Sequence, residues 1–151
     1  MKLSIILILS LLLVSCKQSE EKKPTLLIEQ KISTEESHES IDGIVTLNNG
    51  ELWQANPETT EGILKMKERI NSFNDFEKKE AYASLKEGLE TDFTELFQKC
   101  TMKGEAHNQL HNYLFPFIDL FDSLDSSDIE TCKKSLKELN SHLNDYYSYF
   151  E

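Results

Sequence analysis

The chain has 151 residues, of which 27 are acidic and 16 are basic, so its formal net charge is −11 at neutral pH. Nucleic acid is disfavoured as a partner, and so is direct adsorption to anionic lipid, because both require a basic surface. The length is sufficient for one compact domain preceded by an N-terminal extension.

The N-terminus has the features of an export signal. Lys2 gives a positive start, and an apolar run from Leu3 to Val14 follows it. The run is about as long as the hydrophobic part of a signal peptide and is too short to span a bilayer. It ends in Leu13-Val14-Ser15-Cys16, which resembles the lipobox of bacterial lipoproteins. The resemblance implies removal of residues 1–15 and attachment of diacylglycerol to the Cys16 thiol, which anchors a protein stably once several acyl chains are present.

The residues after Cys16 bear on the location of this anchor. An aspartate directly after the lipidated cysteine would resemble the inner-membrane retention signal of some bacteria. This chain has Lys17 at that position, so the sequence favours the outer membrane. The pair Glu20-Glu21 resembles surface-export signals of certain Gram-negative lipoproteins. We therefore expect a cell-envelope protein whose lipid anchor holds it to a membrane, on the periplasmic face or at the cell surface. Residues 16–40 are rich in Glu, Lys, Ser and Thr, and we expect them to form a solvated tether.

A small β-hairpin is predicted over residues 44–53, at the start of a domain that extends from residue 41 to residue 151. Its two strands would flank Asn48-Asn49-Gly50, because Asn-Gly supplies the positive φ angles of a tight turn. Two strands alone are marginally stable, so we expect the hairpin to lie against the rest of the domain.

Four amphipathic helices are predicted in the rest of the domain. Asn56 precedes a proline and predicts the start of the first helix. Asn74 with Glu77, and Ser127 with Glu130, have the spacing of capping boxes for the second and fourth helices. Apolar residues recur at spacings of three and four along each helix. These stripes are Ile63, Met66, Ile70 and Phe73; Tyr82, Leu85, Leu89, Phe93, Leu96 and Phe97; His107 with Leu110, Leu114, Phe117, Phe121 and Leu124; and Ile129, Cys132, Leu136, Leu139, Leu143, Tyr146 and Phe150.

These patterns predict a mainly α-helical fold. Pro116 lies inside the third helix and removes a hydrogen bond there, so that helix should be either kinked or divided into two shorter helices. The connections between helices are short, which makes neighbouring helices antiparallel. We therefore expect an up-down antiparallel four-helix bundle with the small N-terminal β-hairpin at one end.

The segment from Cys100 to His111 contains several residue types that bind metals. His107 and His111 are four residues apart, so they share one face of a helix, as pairs of metal ligands often do. Cys100 and Met102 come just before this helix. Thiolate and thioether ligands favour Cu(I), whereas imidazole suits copper and zinc.

A count along the bundle places a third histidine near this pair. If the turn between the third and fourth helices is centred at about residue 125.5, residue 107 faces about residue 144 and residue 111 faces about residue 140. His142 lies between these two positions. We therefore predict that Cys100, Met102, His107, His111 and His142 converge at one end of the bundle. The competing interpretation is that His107 is a core imidazole bonded to a carbonyl, and that the other two histidines are solvated.

Export to an oxidising compartment favours a disulfide between Cys100 and Cys132. In the predicted bundle, however, these residues lie at levels that differ by roughly 22 Å. A disulfide needs Cα atoms within about 7 Å of each other, so we expect the two cysteines not to pair within one chain. Cys132 lies on an apolar stripe and is predicted to be a small core residue.

Two functional hypotheses follow from the sequence. The pattern Cys-x-Met-x-Gly-x-x-His-x-x-x-His at residues 100–111 resembles segments of uncharacterised bacterial lipoproteins and periplasmic proteins, which implies no particular activity. The first hypothesis is a lipid-anchored protein that binds a transition metal, with copper favoured and zinc as the alternative. The second is a metal-free structural or protein-binding module of the envelope, with Trp53 facing a protein partner.

A haem protein is less well supported because there is no CxxCH attachment motif, and no catalytic motif indicates an enzyme.

Overall fold

The computed structural model describes residues 44–151, and this part of the chain is mainly α-helical, as predicted. The export signal, the lipidation site at Cys16 and the tether lie outside the described residues. None of the helices described combines the length and the apolar character that a bilayer crossing requires. The helices in chain order are α1 (Pro57–Ser72), α2 (Lys79–Lys99), α3 (Gly104–Leu114), α4 (Pro116–Leu124) and α5 (Ile129–Asn144), followed by a 3₁₀ turn at Asp145–Ser148.

The predicted hairpin retains its turn but not its strands. Asn49 and Gly50 have positive φ angles of 53° and 94°, as the Asn-Gly pair predicts. The backbones of Asn48 and Glu51 exchange hydrogen bonds of 2.9 and 3.0 Å across this turn and form an isolated antiparallel bridge. Among residues 44–151 the pairing extends no further into strands, so the predicted hairpin over residues 44–53 is corrected to a single bridged turn.

The reason for this correction is that the second arm of the hairpin pairs elsewhere. The backbone N–H of Trp53 donates to the carbonyl of Tyr149 at 2.7 Å, and the N–H of Glu151 donates to the carbonyl of Trp53 at 2.9 Å. Trp53 and Phe150 thereby form a parallel bridge. The backbone of residues 53–55 thus pairs with the segment that follows α5 instead of with residues 44–47.

The apolar stripes predicted from helical spacing form the core. Most stripe residues are no more than 6% exposed, while Phe73, Phe97, His107 and Ile129 at the ends of the stripes are half-buried. Phe93 of α2 contacts two phenylalanines of α4, with ring centroids 5.4–5.8 Å apart. Helical periodicity therefore located the core correctly.

Two helix starts differ from those predicted by the capping boxes. α2 begins at Lys79, so Asn74 is not its cap. The cap of α5 is Asp128, whose carboxylate accepts hydrogen bonds from the second and third backbone N–H groups after it, at 3.3 and 3.2 Å. The predicted capping box at Ser127 is therefore wrong. A carboxylate is an effective cap because it both accepts these bonds and lies at the positive end of the helix dipole.

The third predicted helix is divided, which is one of the two outcomes expected from its internal proline. α3 ends at Leu114 and α4 begins at Pro116. Phe115 between them keeps helical angles of φ −55° and ψ −44°, and its N–H donates to the carbonyl of His111 at 2.9 Å. The interruption is therefore small, and the two segments follow each other closely.

A buried ion pair joins α1 to α2. The Asp92 side chain is fully buried and receives hydrogen bonds from Nε and an Nη atom of Arg69 at 2.6 and 3.0 Å. Lys65 lies 3.0 Å from Asp92 and 2.9 Å from Glu95. Gly88 leaves room for the Arg69 guanidinium, because a Cβ at this glycine would overlap it. The pairing of residue 65 with 95 and of residue 69 with 92 shows that these two helices run antiparallel.

Contacts between α4 and α5 fix the register of the last helix. The Ser135 hydroxyl donates to the carbonyl of Leu120 at 2.6 Å, and the thiol of Cys132 donates to the carbonyl of Leu124 at 3.1 Å. These helices also run antiparallel, because the contacting residue in α4 has a lower number as the residue number in α5 increases. Cys132 is fully buried, which confirms its predicted place in the core.

Candidate functional site

The segment after α2 brings the first predicted ligand back toward α3. Cys100 caps the C-terminus of α2, and its N–H donates to the carbonyl of Leu96 at 2.9 Å. Gly104 at the start of α3 has a φ angle of +62°, which is accessible to glycine without strain. This left-handed residue lets the chain reverse between two helices, and the result is that Cys100 contacts a residue in the first turns of α3.

Cys100, His107 and His111 form a continuous chain of contacts, which we call the Cys–His–His chain. The sulfur of Cys100 lies 3.7 Å from Nδ1 of His107. On the other edge of the same ring, Nε2 of His107 lies 2.9 Å from Nε2 of His111. All three residues are half-buried. His107 is therefore the central member, and it uses both of its ring nitrogens.

The chemistry of imidazole links the two contacts. A neutral imidazole has one N–H and one lone pair, so a His107 ring that accepts from the thiol at Nδ1 must donate to His111 from Nε2. In the opposite arrangement the thiolate accepts from Nδ1, and His111 donates to Nε2. Phe97 of α2 lies beside His111, with ring centroids 5.3 Å apart, and restricts its position. The chain can thus pass a proton along its length between sulfur and nitrogen.

The environment of Cys100 acts on its thiol in two opposing ways. Burial raises the pKa of the thiol, because it disfavours the charged thiolate. Hydrogen bonds from His107 and from the backbone of Met102 lower it, and the Thr59 side chain contributes a further lowering hydrogen bond. Their combined effect exceeds that of burial, and the pKa of Cys100 is held below its ordinary value. This cysteine is therefore the type of thiol that serves as a ligand or a nucleophile.

His142 does not join the Cys–His–His chain. Its Nε2 lies 2.7 Å from the carbonyl of Tyr113, and the Tyr113 hydroxyl donates to the carbonyl of His142 at 2.7 Å. The two rings are stacked, with centroids 4.6 Å apart and planes inclined by 16°. Because a carbonyl only accepts hydrogen bonds, Nε2 of His142 carries a proton and is not available as a metal ligand.

The position of His142 corrects the count made from the sequence. Residue 142 faces residue 113, whereas the sequence placed it between the partners of residues 107 and 111. The facing pairs, 113 with 142, 120 with 135 and 124 with 132, place the centre of the turn near residue 128, about two residues later than predicted. In an antiparallel pair, each residue of displacement at the turn shifts the facing residue by about two positions.

The other two predicted site residues have different surroundings. Met102 is half-buried in the loop before α3, and its backbone contacts the Cys100 thiol. Trp53 is half-buried, and its indole N–H donates to the carbonyl of Thr46 at 2.6 Å. This bond, with the backbone bonds of Trp53 to the C-terminal segment, holds residues 44–55 against the domain.

Sequence reasoning missed two residues that shape the site. Thr59 is fully buried in the first turn of α1, where it lies next to the Cys100 thiol. Its position four residues before Ile63 places it on the apolar stripe of α1, and a polar residue on such a stripe was the available signal. Tyr113, the partner of His142, lies beside the predicted stripe of α3 and gave no such signal.

The geometry does not match a closed three-ligand metal centre. Within residues 44–151, no three His, Cys, Asp or Glu side chains are grouped so that they could hold one ion. The physical reason is the central ring, because Cys100 lies at Nδ1 of His107 while His111 lies at Nε2. An ion between the two histidines is therefore separated from the sulfur by the imidazole ring. Comparison of the chain with protein-family models, curated proteins and solved structures gives no match.

Proposed function

We propose that this chain is a lipid-anchored protein of the bacterial cell envelope that binds a transition-metal ion, copper in preference to zinc, and is not an enzyme. The observation that carries the metal proposal is the convergence of His107 and His111, whose Nε2 atoms are 2.9 Å apart. The proposal includes an up-down antiparallel four-helix bundle, in which α3 and α4 together act as the third helix. This arrangement places the loop between α2 and α3 at one end of the domain, where an ion is accessible.

The separation of the two nitrogens is compatible with the binding of one ion by both rings. With metal–nitrogen bonds of about 2.0 Å, two nitrogens at a right angle are about 2.8 Å apart, and at a tetrahedral angle they are about 3.3 Å apart. The observed 2.9 Å is the length of the hydrogen bond between the two rings, and it lies near both values. Copper is preferred to zinc in this proposal because a given set of nitrogen ligands binds Cu(II) more tightly than Zn(II). In this proposal an ion replaces the proton shared by His107 and His111, and water fills the remaining positions.

Cys100 and Met102 extend the proposal to Cu(I), which favours sulfur ligands. The sulfur of Cys100 and Nδ1 of His107 face each other at 3.7 Å, so in this proposal one Cu(I) ion binds between these two atoms. Met102 lies two residues from this thiol and offers a thioether. His142 is left out of the proposed ligand set, because it bonds to and stacks on Tyr113 instead of contacting the Cys–His–His chain.

Titration of the full chain in detergent with Cu(I), Cu(II) and Zn(II) tests this proposal. We expect both copper ions to bind more tightly than Zn(II) at a stoichiometry of one. Cys100→Ser is expected to lower Cu(I) affinity about tenfold and to change Cu(II) affinity little, because it removes the soft ligand and leaves both imidazoles. Calorimetry with the three ions measures these affinities. The proposal would be contradicted if neither Cu(I) nor Cu(II) produced heat of binding.

A second candidate is a metal-free module that binds a protein of the envelope. The observation that favours it is a set of exposed apolar side chains. Ile44 is 63% exposed and Phe115 is 58% exposed, and Leu47 and Ile118 are also exposed. The carbonyl of Ile44 accepts a hydrogen bond from Asn112, three residues before Phe115. Under this proposal, addition of copper leaves the melting temperature of the protein unchanged.

Replacement of Cys16 tests the anchor. The lipobox motivates the expectation that Cys16→Ala releases the protein from membranes or blocks its processing, because the substitution removes the thiol that carries the lipid. Membrane fractionation and the mass of the mature protein measure this. Ser15→Ala is the control, since alanine is also small, and it should be processed and anchored as the wild type. Normal trimming of Cys16→Ala together with continued membrane association would exclude the lipoprotein assignment.

A further inference from the structure

The two cysteines of the domain differ sharply in accessibility. Cys132 is fully buried, and its thiol contacts the carbonyls of Leu124 and Ser126 at 3.1 and 3.5 Å. Cys100 is half-buried and lies in the loop between α2 and α3. Any reagent that enters from solvent therefore meets Cys100 first.

Neither cysteine can serve as the disulfide partner of the other. Cys100 contacts His107 near the start of α3, whereas Cys132 contacts Leu124 at the end of α4. The rise along these two helices separates the two levels by about 25 Å, far beyond the reach of a disulfide. Both are free thiols in the structure. With Cys16 occupied by the proposed lipid, a disulfide at Cys100 must therefore form with another molecule.

The Cys–His–His chain has the arrangement of an activated nucleophile. The thiol lies next to a base, Nδ1 of His107, and His111 holds the opposite edge of that ring. A nucleophile beside a base that a third group orients is the usual arrangement for a reactive side chain. A structural role for Cys100 alone would not require this second contact behind the histidine.

We infer that Cys100 is a thiol–disulfide exchange site, at which small-molecule disulfides regulate the metal centre. The sulfur of Cys100 attacks one sulfur of a disulfide RSSR while its proton moves to Nδ1 of His107. The S–S bond of RSSR breaks, and a new bond forms between Cys100 and one RS group. The other sulfur leaves as RS⁻ and takes up the proton from His107. Cys100 is thereby oxidised, and half of the small disulfide is reduced to RSH.

The regulatory part of this inference rests on the proposed metal function. A mixed disulfide removes the thiolate that Cu(I) prefers, while both imidazoles remain. The modified protein should therefore bind Cu(I) less tightly and bind Cu(II) as before. The compartment implied by an export signal is oxidising, so a disulfide reagent is available there.

Reaction with 2-hydroxyethyl disulfide, a small neutral reagent, tests the exchange site. The full chain in detergent is mixed with the reagent, and the mass of each cysteine-containing peptide is followed over time. We expect the adduct to form on Cys100 at least about tenfold faster than on Cys132. Peptide mapping separates any adduct at Cys16. Equal rates at Cys100 and Cys132, or no adduct at Cys100 in the folded protein, would overturn the inference without the use of any variant.

Two histidine variants test whether Cys100 reacts quickly because His107 activates its thiol or only because the thiol is accessible to solvent. His107→Gln is expected to slow the reaction of Cys100 at least about tenfold, because it removes the base. His142→Gln is the matched control and should leave the rate unchanged, since His142 contacts Tyr113 instead of the thiol. A His107→Gln protein that reacts as fast as the wild type would refute the role of the base.

The metal titration distinguishes this inference from the proposed function. The adduct is expected to lower Cu(I) affinity about tenfold and to change Cu(II) affinity less than about threefold. If Cys100 forms the adduct but the chain binds no copper, the exchange site stands and the metal function fails. If copper binds and Cys100 does not react, the metal function stands and the exchange site fails.

Discussion

His107→Ala is expected to lower the affinity of the chain for Cu(II) by about 100-fold or more. Loss of a residue that only orients a ligand costs about 10–100-fold in metal affinity, and loss of a ligand should cost at least as much. His107 is the member that contacts both Cys100 and His111. His111→Ala should have a smaller effect, because the contact at Nδ1 with residue 100 still orients the His107 ring, which remains as a ligand. Calorimetry of each variant against the wild type measures the difference.

His142→Ala is the control for this prediction. It should leave copper affinity within about twofold, and it should lower the free energy of unfolding by about 1–2 kcal/mol, because it removes a hydrogen bond and a stacked ring. Chemical denaturation measures the stability of both variants. The opposite pattern, in which His142→Ala loses copper binding and His107→Ala keeps it, would show that the ion lies between α3 and α5.

Asp92→Asn is expected to lower the free energy of unfolding by about 2–3 kcal/mol. Removal of one partner from a buried ion pair costs about 3–5 kcal/mol when the remaining charge stays buried. Here Arg69 is 37% exposed and Lys65 is 47% exposed, so water recovers part of this cost. Urea unfolding followed by circular dichroism at neutral pH measures the change.

The effect of Asp92 should disappear in acid. Burial raises the pKa of this carboxyl, but hydrogen bonds from Arg69 and Lys65 exceed that effect and hold the pKa below its ordinary value. A depressed pKa in the folded state contributes stability above the unfolded value of about 3.9. This stability is lost as the pH falls through the folded pKa. The difference between wild type and Asp92→Asn should therefore be constant above about pH 5 and should shrink below about pH 4.

Asp122→Asn provides a matched comparison. Asp122 is 72% exposed and accepts a hydrogen bond from Lys86 at 2.7 Å. Because a surface ion pair contributes at most about 1 kcal/mol, this variant should be nearly as stable as the wild type. If Asp92→Asn and Asp122→Asn lower the free energy of unfolding equally, the buried ion pair of Asp92 contributes no more stability than a surface ion pair.

The sequence determined the features that depend on neighbours along the chain. Spacings of three and four located the buried faces of the helices, because α-helical periodicity is local. Asn49-Gly50 predicted a turn with two positive φ angles, and Pro116 predicted an interrupted helix. His107 and His111 were predicted to share a face, and their ring nitrogens do converge. Each of these follows from the geometry of a few consecutive residues.

Only the tertiary structure decided the relations between distant segments. The register of α5 depends on how it packs against α3 and α4, and a turn centred about two residues later than predicted places His142 against Tyr113 instead of beside His107 and His111. The burial of Asp92 between α1 and α2 depends on how these helices pack, and the sequence shows it as one acidic residue among many. The contact of Cys100 with Nδ1 of His107, and of His111 with Nε2, depends on a chain reversal at Gly104. Local periodicity fixes which face of a helix is apolar, but it does not fix the rotation and level of one helix against another, and those two quantities set which side chains meet.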